Sequence, residues 1–172
     1  MTINREYLWV TYIKRLQHPA VNPGGRSKNR FQKGIVFTFE EKEVSQNDIS
    51  SRIENVLSES LPWIVAESGN NIAGYAYAAK WKTRSAYRFA VESTVYIDKD
   101  SVGNGIGSLL YKDLLSKLKD SGIHVVIGGI ALPNPSSIAL HEKFGFKNVA
   151  QFKEVGIKFN KWIDVGYWQL QL

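Results

Sequence analysis

The chain has 172 residues, of which 44% are hydrophobic, and it carries a formal net charge of +6 with no cysteine. Its length suits one domain, and its hydrophobic fraction is too high for a disordered chain. The lack of cysteine excludes disulfides, thiolate metal sites and a cysteine nucleophile. The three histidines, His18, His124 and His141, lie far apart in the sequence, so no metal site is predicted.

The charged and apolar residues also limit the expected location and partners. There is no run of about 18 or more apolar residues, and the first residues lack the pattern of a signal peptide. We therefore expect a cytoplasmic protein without a membrane partner. The densest basic cluster, residues 26–33, is interpreted as a solvated loop. A nucleic-acid partner is not expected, because binding needs clustered basic residues among exposed aromatic ones and the charges here are scattered.

Apolar periodicity and turn residues predict the elements of the first half of the chain. In chain order they are a helix at 3–17, a loop at 18–34, a strand at 35–39, a helix after Ser45, and a hairpin of strands 63–67 and 72–79. The hairpin is predicted because Gly69, Asn70 and Asn71 separate two apolar runs.

The second half alternates strands and helices. Its predicted elements are a strand at 90–98, a helix opened by the glycines at 103–107 and ended at Gly122, a strand at 123–130, a helix from Pro135 to near Gly145, and strands at 149–159 and 162–171 that turn at Asn160 and Lys161. The apolar strand at 123–130 is expected to be buried on both faces. Trp162 and Trp168 are assigned to packing. Hairpins around a strand–helix–strand unit predict an α/β fold with a mixed sheet.

A glycine-rich turn follows the strand at 90–98. It consists of Val102, Gly103, Asn104, Gly105, Ile106, Gly107 and Ser108. Glycines at alternate positions expose backbone N–H groups, and the next helix adds its unpaired first amides and its positive end. Such a turn can bind a pyrophosphate, although a plain strand-to-helix turn is the alternative. It lacks the P-loop order and has Ser108 in place of the third glycine of a dinucleotide-binding motif, but it fits an acyl-CoA loop.

Five stretches resemble the phosphinothricin acetyltransferase family of the GNAT superfamily. They are TFEEKEVS (38–45), WKTRSAY (81–87), VESTVYI (91–97), LPNPSSIALHEKFGF (132–146) and VGIKFNKWIDVGYWQ (155–169). The resemblance covers about residues 35–172 and implies one GNAT domain over 1–172. Its expected fold is a central mixed sheet of six to seven strands flanked by helices. The chain departs from the family at Val102, where Arg or Gln is usual, and in residues 14–34.

The resemblance also implies an activity. An acetyl group passes from acetyl-CoA to the amino group of a small amino-acid-like substrate of the phosphinothricin, methionine sulfone or methionine sulfoximine type. Direct attack in a ternary complex is expected, because no cysteine is present for a thioester relay. The family also implies a homodimer. Acetylation of a peptide or protein amine, and a CoA-binding module without turnover, are the alternatives.

Glu92 and His141 are the candidate catalytic residues. An amine attacks the acetyl carbonyl carbon only in its neutral form, so a general base must first remove the proton of the ammonium group. The resemblance assigns this role to Glu92. The alternative is a structural carboxylate paired with Arg84 or Arg88. His141 stands where many GNAT proteins have tyrosine, and it can protonate the leaving thiolate or can be a buried packing residue.

The other candidates bind acetyl-CoA or the amine. The backbone of Val95, Tyr96 and Ile97 is expected to pair with pantetheine like an added strand. Asn134, Ser136 and Ser137 are either pantetheine contacts or helix caps. The acetyl-CoA set comprises these six residues together with Val102, Gly103, Asn104, Gly105, Ile106, Gly107 and Ser108. The substrate set is Phe39, Lys82, Arg84, Tyr87 and Arg88. Its basic members suit a carboxylate and a phosphinate or sulfone, with a solvated loop or core packing as the alternative.

Overall fold

A computed structural model describes residues 45–68 and 71–172. Its elements in chain order are helix α1 (Gln46–Ser58), strands β1 (Trp63–Ser68), β2 (Asn71–Lys80) and β3 (Ala90–Ile97), helix α2 (Ile106–Asp120), strand β4 (Val125–Ala131), helix α3 (Pro135–Lys143), and strands β5 (Lys147–Lys158) and β6 (Lys161–Gln171). Short 3-10 helices lie at Ser85–Tyr87 and Lys99–Ser101. The predicted α/β fold is confirmed. The predictions for 3–17, 18–34, 35–39, Phe39, Gly69 and Asn70 lie outside the described residues.

The six strands form one mixed sheet in the order β1-β2-β3-β4-β6-β5. The β3–β4 pair is parallel, and the other four neighbouring pairs are antiparallel. Helix α2 makes the crossover that a parallel pair requires.

The sheet opens between β3 and β4. Their ladder starts with Ala90 opposite Val125 and ends with Ser93 opposite Gly128. Beyond that pair, residues 94–97 keep partners on β2, and residues 129–131 keep partners on β6. The backbones of β3 and β4 therefore stop pairing with each other after Ser93. This geometry suits the insertion of an extended, amide-bearing chain between the two strands.

The core lies between the sheet and α2. Tyr111, Leu114 and Leu118 recur at helical spacing and are fully buried, together with Ala76 and Ala78 of β2. Because α2 contacts β1, β2 and β3, its first turn, which contains the end of the glycine-rich turn, is held against the end of β3 at Ile97.

Local sequence signals explain where the helices begin and end. Ser45 and Asp48 form a capping box at the start of α1, as expected for a helix after Ser45. Helix α2 ends just before Gly122, whose φ is +75°, so the predicted stop is confirmed. Pro135 occupies the first turn of α3, where its missing N–H removes no helical bond.

Strand β4 is buried on both faces, as predicted. Val126 and Ile130 are buried on one face and Ile127 and Ala131 on the other, although Gly129 is exposed.

Two local predictions are wrong. The last hairpin turns at Phe159 and Asn160, one residue early, because both residues take the positive φ that a two-residue turn requires. Trp162 is 63% exposed because it pairs with Ile157 on the edge strand β5, whereas Trp168 is buried as predicted.

Candidate active site

Glu92 lies on the sheet face opposite α2. Its neighbour Ser93 bonds to Tyr111 of α2, so alternation along the strand points Glu92 the other way. On that face Glu92 lies near Gly129 of the adjacent strand β4 and near Tyr167 of β6, the next strand beyond it. A Cβ on Gly129 would lie 2.9 Å from Glu92 Oε1 and 3.4 Å from Tyr167 Cε1. The glycine therefore leaves the room that the carboxylate occupies.

The environment of Glu92 favours its protonated form. Burial raises the pKa of its carboxyl, and the positive charge of Lys82 partly opposes that rise. The pKa of Tyr167 is also raised, first by burial and then by the charge of Glu92. A carboxyl whose pKa moves toward neutrality is suited to accept a proton from an ammonium group.

The alternative of a salt-bridged structural Glu92 does not appear in the described part of the chain. Ion pairs there include Lys80–Glu59, Lys99–Asp100 and Lys117–Asp113, and none joins Glu92 to Arg84 or Arg88 within the described ranges. Arg88 instead donates from Nη1 to Ser85 O at 3.2 Å and lies over the ring of Phe89 at 4.5 Å. The described contacts of the Arg88 side chain are thus with residues of its own loop.

The structure separates the predicted substrate residues. Lys82 lies over the ring of Trp81 at 4.7 Å, and Trp81 meets Tyr167 edge to face at 5.6 Å. These contacts place Lys82 beside Glu92. Arg84, Tyr87 and Arg88 lie in or beside the exposed 3-10 helix Ser85–Tyr87. Phe39 is outside the described residues.

His141 is buried on the other face, in a chain of hydrogen bonds. Its Nε2 lies 2.6 Å from Tyr111 Oη, and Tyr111 Oη lies 2.8 Å from Ser93 Oγ. Its Nδ1 lies 2.7 Å from Ser137 O. A carbonyl only accepts, so Nδ1 carries the proton, and in the neutral ring Nε2 accepts from the Tyr111 hydroxyl. Ser93 then donates to Tyr111.

Both ring nitrogens of His141 are therefore hydrogen-bonded to protein groups, and only 5% of the surface of His141 is exposed. This is the arrangement of the packing alternative. Direct donation to a thiolate would require His141 to break one of the two bonds.

The pH dependence of stability tests this environment. Burial lowers the pKa of His141 below its ordinary value of 6.5, so the folded state binds this proton less readily than the unfolded state. The resulting stability is present above 6.5 and is lost as the pH falls from there toward the folded pKa. We expect Tm to fall more steeply between pH 7.5 and 5 in the parent protein than in His141→Gln. Equal slopes would contradict a buried neutral histidine.

The glycine-rich turn has an open surface. Gly103 and Gly105 have φ of +84° and +76°, and nothing lies within 4 Å of a Cβ built at either. Gly105 begins α2 without a side-chain cap, and the first backbone bond runs from Leu109 N–H to Gly105 O at 3.1 Å. The amides of Ile106, Gly107 and Ser108 precede that bond. The turn therefore presents N–H groups without a helical partner, and the pyrophosphate site there stays a prediction.

The remaining predicted acetyl-CoA residues flank this turn and the opening. Val95, Tyr96 and Ile97 pair with β2 and lie beyond the last β3–β4 pair. Asn134 caps α3 by accepting from Ser137 N–H at 3.1 Å, as its capping alternative predicts. Val102, Asn104 and Ser136 are exposed.

Sequence reasoning missed Gly128 and Gly129. A Cβ on Gly128 would lie 2.2 Å from His141 Nε2, and one on Gly129 would approach Glu92 on the opposite face. The signal was present, because two adjacent glycines weaken an apolar strand unless a close approach requires them. Tyr111, Ser93 and Tyr167 were also missed, and they carry no local motif.

Two kinds of site are not found in the described residues. Residues 45–68 and 71–172 hold no group of three His, Asp or Glu side chains placed to bind a metal. No helix within those same ranges has both the length and the apolar character to cross a membrane. The expectations of no metal and no membrane partner stay predictions.

Comparison with known proteins places the chain among acetyltransferases. The phosphinothricin N-acetyltransferase of Streptomyces viridochromogenes is 42% identical over 113 residues, which are 66% of this chain and 62% of that protein. The L-methionine sulfoximine/L-methionine sulfone acetyltransferase of Salmonella typhimurium is 37% identical over 111 residues, which are 64% of this chain and 65% of that protein. The matches thus span slightly less than two thirds of these relatives.

Comparison with solved structures also places the chain among acetyltransferases. The crystal structure of a GNAT superfamily phosphinothricin acetyltransferase from Sinorhizobium meliloti, in complex with acetyl-CoA, has a TM-score of 0.81 and 30% identity. The alignment covers 93% of this chain and 84% of that one. The sequence model of the acetyltransferase (GNAT) domain matches residues 26–166, which is most of the chain. The chain therefore belongs to the GNAT family of acetyltransferases.

Proposed function

We propose that the chain is an acetyl-CoA-dependent N-acetyltransferase for the amino group of a small amino-acid-like substrate. The observation that carries this proposal is the half-buried Glu92 carboxyl, whose pKa is raised, on the strand where the sheet opens. The relatives named as phosphinothricin and methionine sulfoximine acetyltransferases support the substrate class.

Acetyl-CoA supplies the activated acetyl group, and this chain offers two surfaces to hold it. The amides of Ile106, Gly107 and Ser108 suit its pyrophosphate. The backbone of Val95, Tyr96 and Ile97 lies beyond the last β3–β4 pair and suits its pantetheine amides, since a strand backbone can pair with an extended chain. Holding the thioester beside Glu92 is expected to provide much of the rate acceleration.

The chemistry requires a base and an orienting cation. Glu92 takes one proton from the substrate ammonium, and the neutral nitrogen bonds to the acetyl carbon. As the carbon–sulfur bond breaks, the nitrogen gives up a second proton to the departing sulfur or to water, so the products are the amide and CoA. Lys82 lies close enough to influence Glu92 and suits an anionic group of the substrate. His141 as the thiolate's proton donor remains a prediction, which full kcat in His141→Ala at every pH would contradict.

A homodimer and a cytoplasmic location also remain predictions. The edge hairpin of β5 and β6 supports the first, because six large hydrophobic side chains are exposed there. They are Val149, Phe152, Val155, Ile157, Phe159 and Trp162.

Acetyl-CoA-dependent thiol release tests the proposed function. The panel contains phosphinothricin, methionine sulfone, methionine sulfoximine, ordinary amino acids and a lysine peptide. We expect fast release with the first three and slow release with the others, since only the first three pair an α-amino acid with a tetrahedral phosphinate, sulfone or sulfoximine group. Release with the peptide alone would favour the peptide alternative. No release, despite measurable binding of acetyl-CoA, would favour a binding module.

A further inference from the structure

A buried network of hydrogen bonds begins where the sheet opens. Ser93 is the last residue of β3 that pairs with β4, and its Oγ lies 2.8 Å from Tyr111 Oη. Tyr111 Oη in turn lies 2.6 Å from His141 Nε2, and all three residues are buried. Gly128, opposite Ser93, makes room for the imidazole, because a Cβ there would overlap Nε2. The Ser93–Tyr111–His141 network therefore connects the opening of the sheet to an imidazole that is shielded from bulk water.

The hydroxyl groups of the network donate away from the opening. Nδ1 of His141 donates to Ser137 O at 2.7 Å, so Nε2 of the neutral ring accepts the Tyr111 proton. Ser93 donates to Tyr111 in turn. If Ser93 Oγ receives a proton, each hydroxyl can pass its own proton to the next group, and Nε2 takes the last one. The network at rest is thus a proton acceptor.

The network at rest is a poor proton donor. A proton lost from Ser93 would be replaced by the proton of Tyr111, and the network would then hold a tyrosinate. Burial raises the pKa of Tyr111 above its usual range, which makes that state unfavourable. The network must therefore take up a proton before it can donate one.

Protonation of His141 reverses the direction of donation without breaking a bond between the three groups. Nε2 then donates to Tyr111, and Tyr111 donates to Ser93. Ser93 is left to donate to a group at the opening, with Ile127 O at 3.3 Å as its acceptor until then. Burial lowers the pKa of His141, so the imidazolium readily gives the proton back. The contacts described for this ring come from one titratable group and three that do not titrate. They are Tyr111, Gly128, Phe146 and Ser137 O.

We propose that the network carries the second proton of the reacting amine to the departing sulfur. This inference rests on the proposed function, in which Glu92 removes the first proton of the ammonium group. When the nitrogen has bonded to the acetyl carbon, its second proton passes to Ser93 Oγ, and the network holds one proton more as the His141 imidazolium. When the carbon–sulfur bond breaks, the same steps run in reverse, and Ser93 Oγ donates a proton to the thiolate. The products are the amide and the CoA thiol, and the network returns to its resting state.

A packing role is the alternative, because buried hydroxyl and imidazole groups need hydrogen-bond partners even where no proton moves. Both roles predict a loss of stability when a hydroxyl is removed. Only the proposed proton transfer predicts that the loss of rate becomes smaller at high pH, since a thiol that ionises in water needs no proton donor. The pH dependence of the lost rate therefore separates the two roles.

The Tyr111→Phe variant tests the proposal. It keeps the ring, whose centroid lies 5.6 Å from those of Phe144 and Phe146, and removes the hydroxyl. With both substrates saturating at pH 7, kcat should fall by about 10²-fold, as expected for the loss of one proton-transfer group. The calorimetric Kd of CoA should stay within about twofold of the parent value. Above about pH 8.5, where a thiol ionises in water, the ratio of parent to variant kcat should shrink toward about tenfold.

Ser93→Ala and Ser93→Thr form a matched pair, because only the second keeps a hydroxyl at the opening. We expect Ser93→Ala to reproduce both the loss of kcat and its pH dependence. Ser93→Thr should keep kcat within about fivefold of the parent value. Thermal unfolding of each variant checks that it is folded under the assay conditions.

The outcomes separate this inference from the proposed function. A Tyr111→Phe kcat within about threefold of the parent value at pH 7, or a deficit of the same size at every pH, would overturn the role of the network and leave the proposed function intact. Equal deficits in Ser93→Ala and folded Ser93→Thr would have the same meaning. A parent protein that releases no thiol with any amine would overturn the proposed function, and this inference with it.

Discussion

Replacement of Glu92 by glutamine is expected to lower kcat/KM for the amine by about 10²–10⁴-fold, the usual contribution of a general base. Glutamine keeps the size and one oxygen acceptor of the side chain but cannot take the ammonium proton. The same change at Glu54, an exposed residue of α1, provides the matched control and should leave the rate unchanged. A fully active Glu92→Gln would remove Glu92 from the mechanism.

The pH profile separates a lost base from a distorted site. Because burial raises the pKa of Glu92, the parent rate should climb with pH as this carboxyl ionises, and Glu92→Gln should lose that limb. For a raised carboxyl pKa, the stabilising contribution is present below the unfolded value and is lost as the pH rises through the folded pKa. Ionisation of Glu92 thus weakens the fold at pH values above its ordinary pKa of 4.5. Glu92→Gln is expected to be at least as stable as the parent by urea denaturation.

The position of Glu92 shows how far sequence patterns reach. Alternation along VESTVYI places Glu92 and Ser93 on opposite faces, and Ser45 and the apolar periodicity mark the start of α1 correctly. These signals are local, so one chain segment contains all of the information. The glycine-rich turn belongs to the same class, because positive φ at Gly103 and Gly105 follows from the residues themselves.

The features that assemble the site depend on residues far apart in the sequence. The opening at Ser93 is set by the register between β3 and β4, which no pattern within either strand specifies. Tyr111 has the spacing of an ordinary core residue of α2, and only the fold brings its hydroxyl between Ser93 and His141. Trp162 was misassigned for a similar reason, since its exposure depends on the edge location of the last hairpin.

Gly128→Ala is expected to destabilise the protein by about 2–4 kcal/mol, the range for overpacking combined with a broken buried hydrogen bond. The new methyl would lie 2.2 Å from His141 Nε2. The ring cannot retreat easily, because Tyr111 and Phe146 pack against it with centroids at 5.1 and 5.0 Å. Urea denaturation of the purified variant measures this cost.

Gly129→Ala is the matched control, because it adds the same methyl one residue later on the opposite face. There the methyl would meet the flexible end of Glu92 at 2.9 Å on the exposed side of the strand. Rotation of that end relieves the contact, so we expect a stability change below about 1 kcal/mol. The displaced carboxylate should nevertheless lower kcat/KM by about tenfold. Equal losses of stability in the two variants, or full activity of Gly129→Ala, would contradict this prediction. The two glycines would then not each make room for one candidate catalytic side chain on opposite faces of β4.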